Sequence, residues 1–364
     1  MNNTNQLNIL EFCLSPDLGG LELFMVNCFN DFKTKTNTKV IVAPNKKLDN
    51  YFEDENKSYL KRNKLFPIFP ALKLAKFIDS NDIDIIHFHW TKDIATVVVA
   101  RVLSKKKPKI VQTRHMTMTR FKDDFYHKWL YKNIDTIHAV THQVKEQIEK
   151  FIPSDIRPRV EAVYLGTKEQ SVDSNRVDAL REQHRLKDSF VVGIVGRIEE
   201  PKGQYIVIDA LSQLKHLDMK LLIVGHTMDS AYLNTLKERV KSLELEDRVI
   251  FTGFTKEVNE YMHLCDTMVL ATKKETFGLV VIEAMMNRCC MIVANSGGPL
   301  EIIDDNVNGL FFDRTSDDLA LKLEMLYSSS ELKESLSEAG YKKAKDKFDL
   351  EMQSQKLYEL MNSL

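Results

Sequence analysis

The chain lacks most of the features that would anchor, staple or export a protein. Its 364 residues hold five cysteines, Cys13, Cys28, Cys265, Cys289 and Cys290. That odd count has no C-x-x-C spacing, and the adjacent Cys289-Cys290 make a poor disulfide pair. A disulfide framework is excluded, and a reducing compartment, the cytoplasm, is expected. No window approaches 18 uninterrupted apolar residues, so no spanning helix is predicted. The opening MNNTNQLNIL has neither a basic leader nor a long apolar core, which predicts no signal peptide. The dinucleotide fingerprint G-x-G-x-x-G is missing after the first apolar run, against a nicotinamide-dependent dehydrogenase or epimerase. Net charge is only −1, and no nucleic-acid-binding motif is visible, so nucleic acid is not expected as a partner.

What is present is a repeated pattern. At 43 % hydrophobic, a chain of this length supports two cores. In the second half, five apolar runs each end in a glycine or polar loop. Val191–Arg197 ends in Gly196-Arg197, Lys220–Val224 precedes Gly225-His226, and Arg248–Thr252 precedes Gly253-Phe254. Thr267–Ala271 leads into a loop at Glu275, and Met291–Ala294 into Asn295-Ser296-Gly297-Gly298-Pro299. Helical patterns separate the runs, which describes a doubly wound parallel sheet with its ligands at the carboxyl ends of the strands. The first half repeats the scheme. Strand Leu7–Leu14, a Gly19-Gly20 turn and a helix from Leu21 to about Phe32 precede strands at Val40–Ala43, Ile83–Phe88, Lys109–Gln112 and Thr136–Val140. A glycine pair between strand and helix lets a ligand approach the backbone closely.

The densest stretch is Glu275–Met286, ETFGLVVIEAMM. It reads as a tight loop feeding a buried helix, with Glu275 near the helix start and Glu283 about two turns in. An ionised carboxylate on an apolar helix requires a partner, and sugar or ribose hydroxyls supply one. Arg197 and Lys202, on the loop after the first strand of this half, can face the same anion and form a diphosphate clamp.

In this order and at these spacings, Gly196-Arg197…Lys202-Gly203, Gly225, Phe251–Phe254, Glu275/Glu283 with Phe277-Gly278, and Asn295–Pro299…Glu301 resemble the donor domain of family 4 retaining glycosyltransferases. The resemblance reaches more loosely through Ile85–His89 and Thr113–His115. Ala271-Thr272, Arg288, Cys290 and Leu165-Gly166 depart from the family pattern at scaffold positions. The resemblance implies a GT-B fold of two Rossmann-like doubly wound domains facing a cleft. The expected division is an acceptor domain over 1–167, a linker over 168–187, a donor domain over 188–345, and a helix over 346–364 returning to the first domain.

It further implies transfer of a hexosyl or N-acetylhexosaminyl group from a nucleotide sugar, uridine before guanosine. Retention, no metal and no other cofactor are expected. Arg197, Lys202 and the N–H groups around Phe277–Leu279 would meet the leaving phosphate. Glu275 would hold the sugar and Glu283 the ribose, with Thr276 also contacting the donor. Gly19, Gly20, Gly196, Gly225, His226, Gly253, Phe254 and Gly278 would line the donor, with His115 at the reaction centre. The rival is a non-catalytic nucleotide-sugar or sugar binding protein on the same frame.

Charge is unevenly spread. Lys57–Lys132 holds 17 Lys and Arg against 6 Asp and Glu, interleaved with aromatics. That mixture predicts contact with an anionic membrane surface. The expectation is a peripheral cytoplasmic enzyme of bacterial surface-glycan assembly, such as lipopolysaccharide or capsule, with a glycan or lipid-linked acceptor. His87 and His89 share a strand face, and His89 is read as a cleft wall or an ordinary hydrogen-bonded strand end rather than a metal ligand. His127, His138 and His142 are read as structural or surface groups. Trp90, Trp129 and the Tyr126–Tyr131 cluster are read as core packing.

Overall fold

The computed structural model describes residues 6–44, 46–63, 66–227 and 229–364. The chain divides into two compact units. One comprises the residues up to Leu165 together with Glu351–Leu364, the other Gly166–Leu350.

The first unit is built on seven strands: β1 (Asn8–Cys13), β2 (Asn37–Val42), β3 (Lys57–Tyr59), β4 (Ile85–Phe88), β5 (Lys109–Arg114), β6 (Thr136–Ala139) and β7 (Arg159–Ala162). Their order is β3-β2-β1-β4-β5-β6-β7, and every pairing is parallel. β1 and β4 to β6 are buried on both faces, as parallel sheets covered by helices must be. The winding reverses between β1 and β4, which places a switch point there. Helix Gly20–Phe32 starts with the Gly19 N–H donating to the Glu22 carboxylate at 2.9 Å, which satisfies the backbone at the cap from the third helical residue. Its Met25 and Phe29 pack on Val40, Val42, Leu48 and Phe52. Cys28 and Phe32 join Ile9, Ile85 and Val111 with Leu357, Leu360 and Met361 from the closing helix Leu350–Asn362.

The second unit holds six parallel strands: β8 (Phe190–Val195), β9 (Met219–Val224), β10 (Val249–Gly253), β11 (Thr267–Leu270), β12 (Cys290–Ala294) and β13 (Leu310–Phe312). Their order is β10-β9-β8-β11-β12-β13, so its switch point falls between β8 and β11. The core is aliphatic, from Val192 and Ile194 through Leu221 and Ile223 to Ile292 and Leu310.

Three expectations are corrected. The polar stretch after Thr167 is not irregular: it contains helix Ser174–Gln183, capped by Asp173, with Val177 and Leu180 buried. Its polarity is that of a solvated helix face, and Arg176 pairs with Glu257 at 2.6 Å. The aromatics at 126–131 are mostly not core, since Tyr126 is 52 % exposed and Trp129 37 %, while Tyr131 is buried. Strands β3, β7 and β13 were not anticipated. All five cysteines are unpaired and buried, and among the described residues no helix is long and apolar enough to cross a membrane.

Candidate active site

In the second unit the sequence-picked residues collect at the carboxyl ends of β8, β9, β10 and β11. Pro201-Lys202-Gly203 forms a turn that docks on the end of β11. The Lys273 N–H donates to the Pro201 carbonyl at 3.0 Å, and a side chain on Gly203 would lie 2.7 Å from the Ala271 carbonyl oxygen. This docking brings Lys202 Nζ to 3.2 Å from the Glu275 carboxylate, with both side chains partly buried. Arg197 is more exposed and pairs with Glu199 at 3.2 Å, leaving its guanidinium at the surface of the same loop.

The Glu275 loop is held from behind by the glycine pair. The Gly298 N–H donates to the Glu275 carbonyl at 2.9 Å. A Cβ on Gly297 would approach that carbonyl oxygen to 2.3 Å, and one on Gly298 would reach the Thr276 oxygen at 2.2 Å. Gly278 then turns the chain at φ 102° into helix Leu279–Met286. The Val281 N–H donates to the Gly278 carbonyl at 2.9 Å, while the N–H groups of Leu279 and Val280 have no intrahelical acceptor and form an anion-seeking end. Thr276 and Leu279 lie at this turn, and Phe277 is buried beneath it. Glu283 lies one turn into the helix rather than two, where burial holds its carboxyl above the ordinary value.

Gly196 and Gly225 meet back to back. A side chain on Gly225 would overlap the Gly196 carbonyl at 1.9 Å, whereas Gly196 at φ 145° and Gly253 at φ 72° face open space. Those two positions offer bare backbone to a ligand. His226 is exposed and its ring meets that of Phe254, itself 70 % exposed, at 6.0 Å.

In the first unit Gly19 and Gly20 lie exposed at the start of the first helix. His115 follows β5, and its Nε2 is buried without a partner among the described residues. Burial, reinforced by His89, His138, His87 and Arg114, holds its pKa well below the usual imidazole value. His115 is therefore a neutral ring.

Beside it, across the β1/β4 switch point, runs a buried hydrogen-bond chain that the sequence reading did not assemble. The Val163 carbonyl only accepts, so His138 Nε2 at 2.7 Å carries a hydrogen. Burial pushes His138 down to about 3, so its Nδ1 accepts from the Thr113 hydroxyl at 2.9 Å. That hydroxyl in turn accepts from His87 Nε2 at 2.6 Å. Burial likewise pushes His89 down to about 4, and this neutral ring donates Nε2–H to Glu11 at 2.6 Å. Burial works to raise the Glu11 carboxyl, but the His87 charge and the two imidazole hydrogen bonds hold it below the ordinary value. The remaining bond joins His87 Nδ1 to Glu11 at 2.9 Å. Glu11, His87 and His89 also lie close enough, within 4.8 Å, to hold a cation. A carboxylate alone in the apolar run ILEFC was the signal that this strand carries a buried polar partner.

Two parallel Rossmann-like sheets, the second carrying a Lys–Glu pair on glycine-cleared strand ends, have the GT-B glycosyltransferase architecture. A family described as "Glycosyl transferases group 1" matches residues 176–343, and one described as "Glycosyl transferase 4-like" matches 11–141. The chain belongs to the group 1, family 4-like glycosyltransferases. Among curated relatives, N-acetyl-alpha-D-glucosaminyl L-malate synthase of Bacillus anthracis is 28 % identical over 247 residues, 66 % of this chain and 64 % of that protein. Mannosylfructose-phosphate synthase of Agrobacterium fabrum is 30 % identical over 247 residues, 63 % of this chain and 53 % of that protein. The match thus spans less than two thirds of either relative. The Anabaena HepE protein, solved in complex with UDP, shares the fold at a TM-score of 0.87 and 21 % identity, covering 98 % of this chain and 100 % of that one.

Proposed function

We propose that this glycosyltransferase moves a hexosyl or N-acetylhexosaminyl group from a UDP-sugar, with retention at the anomeric carbon. The acceptor is a glycan or lipid-linked glycan of the bacterial surface, such as lipopolysaccharide or capsule, met at the cytoplasmic face of an anionic membrane. The observation that carries this reading is the Lys202–Glu275 pair at the β8/β11 switch point, flanked by backbone left bare at Gly196 and Gly253. Lys202 and Arg197 meet the departing diphosphate, with the first-turn N–H groups of helix Leu279–Met286 as preorganised donors. Glu275 and Thr276 hold sugar hydroxyls. Glu283 takes the ribose, and His226 with Phe254 flanks the base. His115, a neutral imidazole, faces the oxocarbenium-like sugar, and the leaving phosphate assists attack from the same face. Two cations and a helix end supply the positive charge that a metal would otherwise bring, so no metal is required. The same fold holds UDP in the Anabaena neighbour.

Calorimetric titration with UDP, GDP and ADP tests this reading. UDP is expected to bind in the micromolar range without added metal. Arg197→Ala and Glu275→Ala should each weaken the nucleotide sugar by about 2 kcal/mol, the cost of one charge-assisted hydrogen bond. Indifference to all three nucleotides would remove the donor site. Tight binding with no turnover on any acceptor would favour a binding protein, and loss of binding in EDTA would remove the metal-free route.

A further inference from the structure

We propose that the pocket between the carboxyl end of β3 and helix Ile68–Ser80 is a seat for the phosphate of an anionic membrane lipid. This deepens the membrane part of the proposed function and rests on it. The pocket encloses about 680 Å³ and is lined by Tyr59, Lys61, Arg62, Phe69 and Lys73 among others. Three of its side chains are cations and none of the lining residues is acidic. It opens at the carboxyl edge of a parallel sheet, where such folds bind their ligands.

The helix that forms one wall has two apolar faces. Pro70, Ala71, Leu74, Ala75 and Ile78 enter the core. Leu72 and Lys73 stand three and four residues beyond Phe69 on the outside, Lys76 follows four and three beyond those two, and all four are exposed. Phe69 is 62 % exposed and Phe66, just before the helix, 59 %. An outward stripe of hydrophobes and lysines is costly in water and suited to a headgroup boundary, where the rings enter the acyl edge and the ammonium groups meet phosphate. Arg62 is fixed in place, its guanidinium 5.0 Å from the Trp90 ring. Cations gathered around a concave wall recognise one anion, and the apolar rim identifies its carrier as a lipid rather than a soluble phosphate.

The test is co-sedimentation of the full chain with vesicles of phosphatidylglycerol in phosphatidylcholine, and with phosphatidylcholine alone, at about 0.15 M salt. Lys61→Glu with Lys73→Glu should weaken binding to the anionic vesicles about tenfold or more, as expected for cations working at a charged surface. Phe69→Ser should weaken it without changing charge. The matched pair Lys237→Glu with Lys241→Glu, exposed on the second unit, should bind as the parent does, and UDP titration should be the same for all. Equal binding by the Lys61/Lys73 variant would overturn the pocket while leaving the membrane reading intact. Equal binding to neutral vesicles would also overturn it. Failure of the parent chain to bind any anionic vesicle would remove both.

Discussion

Asp93 and the buried histidines of the first unit pull stability in opposite directions with pH. Asp93 is fully buried, its Oδ2 accepting the Leu14 N–H at 2.8 Å and its Oδ1 without a partner among the described residues. Burial pushes its carboxyl from 3.8 up to about 7, against the pull of the Leu14 hydrogen bond and Arg62. Between pH 4 and 7 the folded chain therefore holds a proton that the unfolded chain has released. This group's contribution falls as pH rises through that window, by at most about 1.4 kcal/mol per unit. His89 and His138 do the reverse. Their folded values, about 4 and about 3, lie below 6.5, so stability is lost as pH drops below 6.5 and the unfolded rings take up protons. The two trends partly cancel in the parent chain. Asp93→Asn removes only the first. Denaturant titrations from pH 4.5 to 8 should show the variant more stable at pH 8 by roughly 1 kcal/mol or more, with a steeper loss on the acid side. Superimposable profiles would mean that Asp93 is not titrating.

The decisive element is the turn after β12, because the Glu275 loop rests on it. With the Thr276 carbonyl 2.2 Å and the Phe277 Cα 2.6 Å from where a Cβ would stand, Gly298→Ala leaves the neighbouring backbone no room. The loop must shift and take Glu275 away from Lys202. UDP-sugar affinity should fall at least about tenfold, while unfolding changes by only about 1–3 kcal/mol, a typical overpacking cost. Unchanged affinity would detach the glycine pair from the donor site. This element was legible in the sequence, since a strand buried on both faces reads as an unbroken apolar run and its glycines stand at the end of it. The three unanticipated strands were not legible, for a shared reason. β3, β7 and β13 are sheet edges, only three or four residues long, and Lys57–Tyr59 and Arg159–Ala162 carry charge. Those two, half in water, leave no apolar signature, and Leu310–Phe312, though apolar and mostly buried, is too short to set up a period. The Glu11–His87–Thr113–His138 chain was hidden differently. Its members come from four strands, and only the register that sets Glu11 beside His87 and Thr113 beside His138 brings them together.

For the whole molecule, the consequence lies in how the chain ends. It leaves the first unit at Leu165 and returns to it at Glu351, and the two passages run side by side. The Thr167 N–H donates to the Phe348 carbonyl at 3.0 Å and the Leu350 N–H to the Thr167 carbonyl at 3.1 Å. A side chain on Gly166 would come within 2.6 Å of the Leu350 Cα. The last fourteen residues thus complete a core that began with Ile9, through Leu357, Leu360 and Met361. Burying such side chains stabilises by roughly 1.5–3 kcal/mol each, so three together rival the entire stability of an ordinary domain, about 5–15 kcal/mol. The proposed donor residues of the second unit, from Gly196 to Glu283, all lie between Gly166 and Leu350 and owe nothing to those contacts. A chain ended at Leu350 should therefore show a separated, early melting transition for the first unit. It should keep a second transition that UDP still raises, by the mass action of a ligand on the state that binds it. Loss of the UDP-dependent transition along with the first would mean that the donor unit does not stand without its neighbour. A single melt at the parent temperature would mean that the closing helix contributes little to the core it fills.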